Sequence, residues 1–406
     1  MKCGLLGRKL AHSYSPTIHK AFGGYDYTLF EKEPEEIADF MKNGDFHGIN
    51  VTIPYKQTVM EFCAELSPVA REIGSVNTVV RRPDGTLFGD NTDAAGFRKM
   101  VEQLAVSVSG KKVIIFGSHG SSLSVQYVMK QLGACEIIVV AIEDNRPDFL
   151  RNHADAAILV NCTPVGMYPN IGAGNPPVSL DGFPAIEAVF DVVYNPARTW
   201  LMMDAEDQNS ATMGGLVMLV GQAAISSEIF TGQRISGLTE LSVVQKLRRK
   251  MENIILIGMP GCGKTTYGKL IAEKLNKDFI DTDEKIIETA GRTIPEIFEA
   301  EGEEGFRKRE TEMVAKFGKE SGLVIATGGG AVTREENYRH LHQNGTLIFI
   351  ESEIDALARK DRPLSQGDLH ELYKKRLPMY QRFADITTQA EGDPDAVAEK
   401  IIASIP

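Results

Sequence analysis

The stretch NIILIGMPGCGKTT, residues 253–266, fixes the reading of the C-terminal third of the chain. Its aliphatic run Ile254–Ile257, stopped by a glycine, is the signature of a buried strand. GMPGCGKT at 258–265 fits G-x-x-x-x-G-K-[ST], and KTTYGKLIAEKL continues as a helix. Strand, glycine turn and helix form the setting in which this motif holds phosphate. Gly258, Gly261 and Gly263 let backbone N–H groups curl round phosphate oxygens, and the helix N-terminus adds positive dipole. Lys264 is expected to reach the β/γ-phosphates and Thr265 to offer its hydroxyl to Mg²⁺, with Cys262 and Thr266 in the same cradle. A nucleotide such as ATP is the implied ligand.

Working outward, four features accompany the loop. FIDTD carries Asp281 and Asp283, which as i and i+2 in a strand share one face. One is expected to support the metal and the other to take a proton from a hydroxyl. FRKRE supplies Arg307 and Glu310, and TGGG at 327–330 follows the apolar run LVIA, at a strand's carboxyl end. ARKDRPL and KKRLPMY supply Arg359, Arg362 and Arg376. In this order behind the loop, these segments resemble shikimate kinase over 251–406. The resemblance implies that Arg307 and Arg376 bind the substrate carboxylate and that Asp283 holds the reacting hydroxyls, with Asp281 left for the metal. It also implies that Gly329 touches substrate, that Arg362 of a lid contacts ATP phosphates and that Arg359 lies near the adenine. Only Lys360 and Asp361 separate the two lid arginines, so the lid is short.

The charged segment QKLRRKMEN at 245–253 marks the boundary before this domain, and a softer boundary falls near 100–110. Upstream, SYSPTIHKAF places Ser13 and Ser15 two residues apart, facing one way in an extended segment and suited to a carboxylate. NVTIPYK ends in Lys56, GSVNTVV contains Asn77, and GDNTDAAGF contains Asp93. Singly, Lys56 reads as a surface lysine and NTD as a helix cap. With N-x-T-P-x-G-M at 161–167, D-x-V-Y-x-P at 191–196 and G-x-x-M-L-V-x-Q from Gly215 to Gln222, the series resembles shikimate dehydrogenase over 1–250. The resemblance implies that Ser13, Ser15, Thr52, Asn77, Asp93 and Gln222 bind the hydroxy acid. It makes Lys56 and Asp93 the catalytic pair, puts Tyr194 near substrate and nicotinamide, and assigns Gly215 to the cofactor. Reducing a ketone by hydride requires a proton at the oxygen, and a lysine held by an aspartate suits that task.

FGSHGSSLSV at 116–125, after the strand KKVII, is the dinucleotide turn of this half. Gly117, Gly120 and Ser121 are the expected cofactor contacts, whereas His119 stands where the family has a glycine for close approach to pyrophosphate. The second strand, EIIVVAIED, ends in Glu143 and Asp144, which repel the 2′-phosphate of NADP(H) and favour NAD(H); Arg146 follows as a compensating charge. Only residues 143–156 join that strand to the next apolar run, so the cofactor lobe reads as trimmed by one β–α unit.

The expected class is α/β throughout: a substrate lobe at 1–105 with return helices at about 215–248, a trimmed Rossmann-like lobe at 106–214, and a P-loop kinase α/β/α domain at 251–406. Net charge is −4 over 1–250 and −7 over the rest, without the basic excess that nucleic acid or anionic membrane demands. Five scattered cysteines and the absence of a membrane-length apolar run point to the cytoplasm. The substrates implied are 3-dehydroshikimate and shikimate, for a bifunctional enzyme of consecutive steps. Two alternatives stand beside it: an active kinase fused to a cofactor-impaired, shikimate-binding pseudo-dehydrogenase, and a phosphate-loop kinase for another small metabolite joined to a quinate-type dehydrogenase. Oligomeric state is not legible in the sequence.

Overall fold

The computed structural model describes residues 1–10, 13–118, 120–141, 151–171, 178–353 and 369–405. They form two compact units, Met1–Tyr194 with Leu201–Leu247 and Asn195–Trp200 with Arg248–Pro406. Among the described residues no helix is long and apolar enough to cross a membrane.

The first unit holds two sheets. Strands β1 (Lys2–Gly7), β2 (Asp26–Glu31), β3 (Gly48–Val51), β4 (Glu65–Leu66), β5 (Thr78–Arg81) and β6 (Leu87–Asp90) are ordered β2-β1-β3-β5-β6-β4. This sheet is mixed, since β5 runs antiparallel to both β3 and β6. Its central strand β1 is buried from Cys3 to Gly7, as its apolar run predicts, while the edge strand β2 is largely exposed. The second sheet is wholly parallel: β7 (Lys112–Phe116), β8 (Glu136–Val140), β9 (Ile158–Asn161), β10 (Ala188–Asp191) and β11 (Ala211–Gly214), in the order β11-β10-β9-β7-β8. Its central strands have both faces covered, which is why KVIIF, ILVN and AVFD read as continuous apolar runs rather than alternations. Among the described residues β8 and β11 are the edge strands of this sheet.

The helix Asp93–Leu104 and the return helix Leu216–Thr231 cross at Gly96 and Gly221. A Cβ at Gly96 would stand 2.6 Å from the Met218 carbonyl oxygen, and one at Gly221 3.4 Å from Gly96 Cα. This close crossing brings Gln222 against the helix whose first residue is Asp93.

The second unit has one parallel sheet: β12 (Asn253–Ile257), β13 (Asp278–Asp281), β14 (Leu323–Ala326), β15 (Gly345–Glu351) and β16 (Ile386–Gln389), in the order β13-β14-β12-β15-β16. Strand β12 is fully buried, and the helix Lys264–Leu275 starts at its carboxyl end.

Two local expectations change. FIDTD is not strand throughout: β13 stops at Asp281, whose carboxylate caps the helix Thr282–Ala290 by accepting from Asp283 N (3.0 Å) and Glu284 N (3.3 Å). That cap turns the chain, so Asp283 lies in a first helical turn. Ser15 likewise opens the helix Ser15–Phe22 instead of continuing an extended segment, because Pro16 preorganises a first turn. Ser13 Oγ accepts from Ser15 N at 3.2 Å.

Candidate active sites

In the first unit, Lys56 Nζ donates to Asp93 Oδ2 at 2.5 Å, and both side chains are nearly buried. Asp93 is the first residue of its helix, where the dipole favours a carboxylate. Asn77 Nδ2 donates to Asp93 Oδ1 at 2.9 Å, so both carboxylate oxygens are engaged. Asn77 Oδ1 accepts from Thr92 N at 2.7 Å.

The remaining sequence-predicted residues are placed as follows. Thr52 N donates to Leu6 O (2.9 Å) at the end of β1, Gln222 Nε2 donates to Leu219 O (2.9 Å), and the Tyr194 ring packs edge-on against Tyr14 at 6.0 Å. Burial raises the Tyr194 phenol's pKa. Among the described residues no direct hydrogen bond ties Ser13, Thr52, Tyr194 or Gln222 to the Lys56–Asn77–Asp93 trio.

At the carboxyl end of β7, Gly117 has φ +100°, and Gly120 (φ +63°) caps the helix beginning at Ser121. Both are left-handed conformations that favour glycine. Nothing lies within 4 Å of the Cβ position at Gly120, so its backbone is open. At Gly215 that position meets the Val192 backbone, which gives this glycine a packing role. His119, Glu143, Asp144 and Arg146 lie outside the described residues.

In the second unit Lys264 Nζ folds back to donate to the carbonyls of Gly258 (2.8 Å) and Met259 (2.9 Å). Gly258, Gly261 and Gly263 have φ of +147°, +86° and +92°, the curled loop that the motif predicts. Cys262 is buried beneath the loop, and Thr266 is exposed in the first helical turn. Thr265 Oγ1 donates to Asp281 Oδ2 at 2.7 Å, which gathers two hard oxygen donors at the loop's exit.

The glycine triplet shows why each position lacks a side chain. A Cβ at Gly328 would overlap Glu310 Oε1 and stand 2.6 Å from Asp283 Oδ1. At Gly329 it would stand 2.7 Å from Pro260 of the phosphate loop, and at Gly330 it would overlap the Arg307 guanidinium. Asp283, Glu310 and Arg307 thus close on one turn, and the phosphate loop touches its centre. Arg307 Nη1 donates to Glu310 Oε2 at 2.6 Å inside the fold. Burial pushes the Glu310 carboxyl up from 4.5 to about 7, with Arg307 pulling the other way. Arg376 Nη1 and Tyr380 Oη both donate to Gly329 O, at 3.1 and 2.5 Å. Arg359 and Arg362 lie outside the described residues.

Sequence reasoning missed the partners behind these residues. Tyr380 is four residues after Arg376 on one helix, a spacing that signals a shared face. Of the hydroxyls that surround Asn77, Thr78 follows it directly in GSVNTVV and Thr92 lies in GDNTDAAGF, whereas Ser226 lies in no quoted motif.

An α/β unit with a nearly buried lysine–aspartate pair and a glycine turn that opens a helix, followed by a phosphate-loop unit with buried arginines, defines an oxidoreductase joined to a phosphotransferase. The family model for shikimate kinase matches residues 260–406, and that for the shikimate dehydrogenase substrate binding domain matches residues 5–79. Among curated proteins, the chain is 34% identical to a shikimate dehydrogenase (NADP(+)) of Clostridium perfringens, over 60% of this chain and 97% of the relative. Among solved structures, it resembles a chorismate mutase/shikimate 5-dehydrogenase fusion protein from Clostridium acetobutylicum (33% identity, TM-score 0.56, 61% of this chain and 97% of that one). A shikimate 5-dehydrogenase from Listeria monocytogenes, solved with shikimate and NAD, is also similar (28% identity, TM-score 0.51, 61% and 96%). The chain belongs to the shikimate dehydrogenase family and carries a shikimate kinase domain behind that part. The match to the C. perfringens relative counts 267 aligned positions yet occupies 60% of a 406-residue chain, so this chain is the shorter there.

Proposed function

We infer that the chain catalyses two consecutive steps, reduction of 3-dehydroshikimate to shikimate and phosphorylation of shikimate to shikimate 3-phosphate. What supports the reading is that one chain carries the Lys56–Asp93–Asn77 trio in the first unit, and in the second Asp283, Arg307 and Arg376 around the glycine triplet with Lys264 in the phosphate loop. The hydroxyl made by the first step is the one consumed by the second.

In the reductase, the bound nicotinamide supplies a hydride. Lys56 delivers the proton to the carbonyl oxygen, and Asp93, fixed by Asn77, holds the ammonium in place. The Ser13–Ser15 pair is assigned to the substrate carboxylate, with Thr52, Tyr194 and Gln222 around the ring. The substrate-binding part is assigned to 1–105 with the return helices at about 215–248, the cofactor lobe to 106–214 and the kinase to 251–406.

In the kinase, Asp283 accepts the proton of the attacking hydroxyl, and Arg307 and Arg376 grip the carboxylate with planar forks. Lys264, released from the loop carbonyls, neutralises phosphate charge; Arg362 is assigned to the ATP phosphates and Arg359 to the adenine. Thr265 and Asp281 fit Mg²⁺, which is held by few carboxylates together with substrate phosphates. The free thiols suit a reducing compartment, so we assign the chain to the cytoplasm.

The open backbone of Gly120 fits a pyrophosphate at the helix start. NADP(H) is the cofactor of the named relative, and NAD(H) is present in the Listeria structure. His119 and the Glu143–Asp144 pair argue for weak NADP(H) affinity and a preference for NAD(H). The test is shikimate oxidation followed by absorbance with each cofactor. A lower KM for NAD⁺ than for NADP⁺ is expected, and tight NADP⁺ use at ordinary dehydrogenase rates contradicts it. A pseudo-dehydrogenase draws no support from the described residues, since the Lys56–Asp93 pair is formed.

A further inference from the structure

Behind the Lys56–Asp93 pair stands a serine that no motif singles out. Ser226 is fully buried on the helix Leu216–Thr231, one turn after Gln222. Its Oγ donates to Gln222 O at 2.9 Å, as a helical serine commonly does. That uses its only proton and leaves the oxygen as an acceptor. Asn50 Nδ2 donates to it at 2.7 Å, and the hydroxyls of Thr78 and Thr92 lie 2.8 and 2.9 Å away. Asn50 is itself fixed by Tyr27 Oη, which donates to its Oδ1 at 2.8 Å.

The threonine oxygens also lie 3.1 Å (Thr78) and 3.2 Å (Thr92) from Asn77 Oδ1, and since each carries one proton, the threonine that donates to Ser226 leaves Asn77 to the other. Thr92 N occupies the same oxygen at 2.7 Å. With its oxygen taken by donors, the Asn77 amide has one orientation, and its Nδ2 must face Asp93 Oδ1. The reversed amide would set an oxygen against a carboxylate and an N–H against an N–H.

We propose that Ser226 is a positioning residue for the dehydrogenase reaction, holding Thr78 and Thr92 so that the Asn77 amide keeps Asp93 aimed at Lys56. Without its hydroxyl, Asn50 and a threonine lose a buried partner, and Thr92, whose N–H fixes the amide and which directly precedes Asp93, loses an anchor. Networks of this kind couple more strongly than their separate bonds.

The inference rests on reading Lys56–Asp93 as the catalytic pair. The experiment measures kcat and KM for shikimate oxidation against pH in the full chain, for Ser226→Ala, Asn77→Ala, the double variant, Ser226→Thr and Lys56→Ala. Ser226→Ala is expected to lower kcat about tenfold, the worth of one well-placed hydrogen bond, and to move the pH profile while shikimate KM changes little. In the Asn77→Ala background it adds no further loss, the mark of two residues acting through one path. Ser226→Thr, which keeps the hydroxyl, recovers most of the rate. Additive losses, or an unchanged kcat and pH profile in Ser226→Ala, overturn the proposal. Should Ser226→Ala not fold, Thr78→Val removes the next link and is read by the same cycle. Oxidation that survives Lys56→Ala refutes the catalytic pair itself, a result distinguishable from failure of the Ser226 role.

Discussion

Lys56 differs from an ordinary surface lysine in its exposure: its ammonium is nearly buried against Asp93. Since Ser13, Ser15 and Asn77 remain when Lys56 is truncated, Lys56→Ala keeps shikimate binding but loses oxidation by roughly 100-fold, the usual worth of a positioned proton donor. Calorimetry on the variant checks this, and loss of binding would make Lys56 a ligand-holding charge instead. Glu310 makes a second residue-scale prediction. Its carboxyl is raised to about 7, so below that pH it is protonated and leaves the Arg307 charge for the substrate. As pH rises through about 7 the ionised carboxylate competes for Arg307. Kinase KM for shikimate is therefore expected to increase from about pH 6 to about pH 8, and Glu310→Gln to flatten the rise. The same shift makes burial of Glu310 weigh against stability increasingly as pH climbs from 4.5 to about 7, with no cost below the unfolded value.

Turns and helix starts set the sites, and they were unevenly legible. The phosphate loop was plain because its motif states the strand, the turn and the helix together. FIDTD misled because the cap formed by Asp281 is an interaction with backbone that two-residue alternation does not encode. Ser15 misled for a like reason, since a proline after it reads as extended chain or as a helix start. The triplet at 328–330 was legible as a ligand-side turn, but its need for glycine comes from side chains of three other segments. Gly328→Ala should accordingly abolish phosphorylation by displacing Asp283 and Glu310, while the dehydrogenase rate of the same chain stays unchanged. A kinase that tolerates this alanine would mean that the turn moves aside and that the crowding is not functional.

For the molecule as a whole, the α/β class and both families could be read from ordered short motifs, because several of them, the phosphate loop and TGGG among them, follow a strand's end where α/β sheets gather ligands. What stayed hidden was which residues support the others: Thr78 and Thr92 around Asn77 and Tyr380 beside Arg376, all within quoted motifs, and Ser226 outside them. Such contacts join distant segments through single hydroxyls, and nothing local in a sequence announces them. The account's central claim is that one chain performs both steps. Its most direct test supplies purified protein with 3-dehydroshikimate, reduced nicotinamide cofactor, ATP and Mg²⁺, and follows products by mass spectrometry. Shikimate 3-phosphate is expected from the unmodified chain, shikimate alone from Lys264→Ala, and neither from Lys56→Ala, which still phosphorylates added shikimate. If the unmodified chain phosphorylates added shikimate but forms none from 3-dehydroshikimate with either NADPH or NADH, the first unit is not a working dehydrogenase and the claim fails.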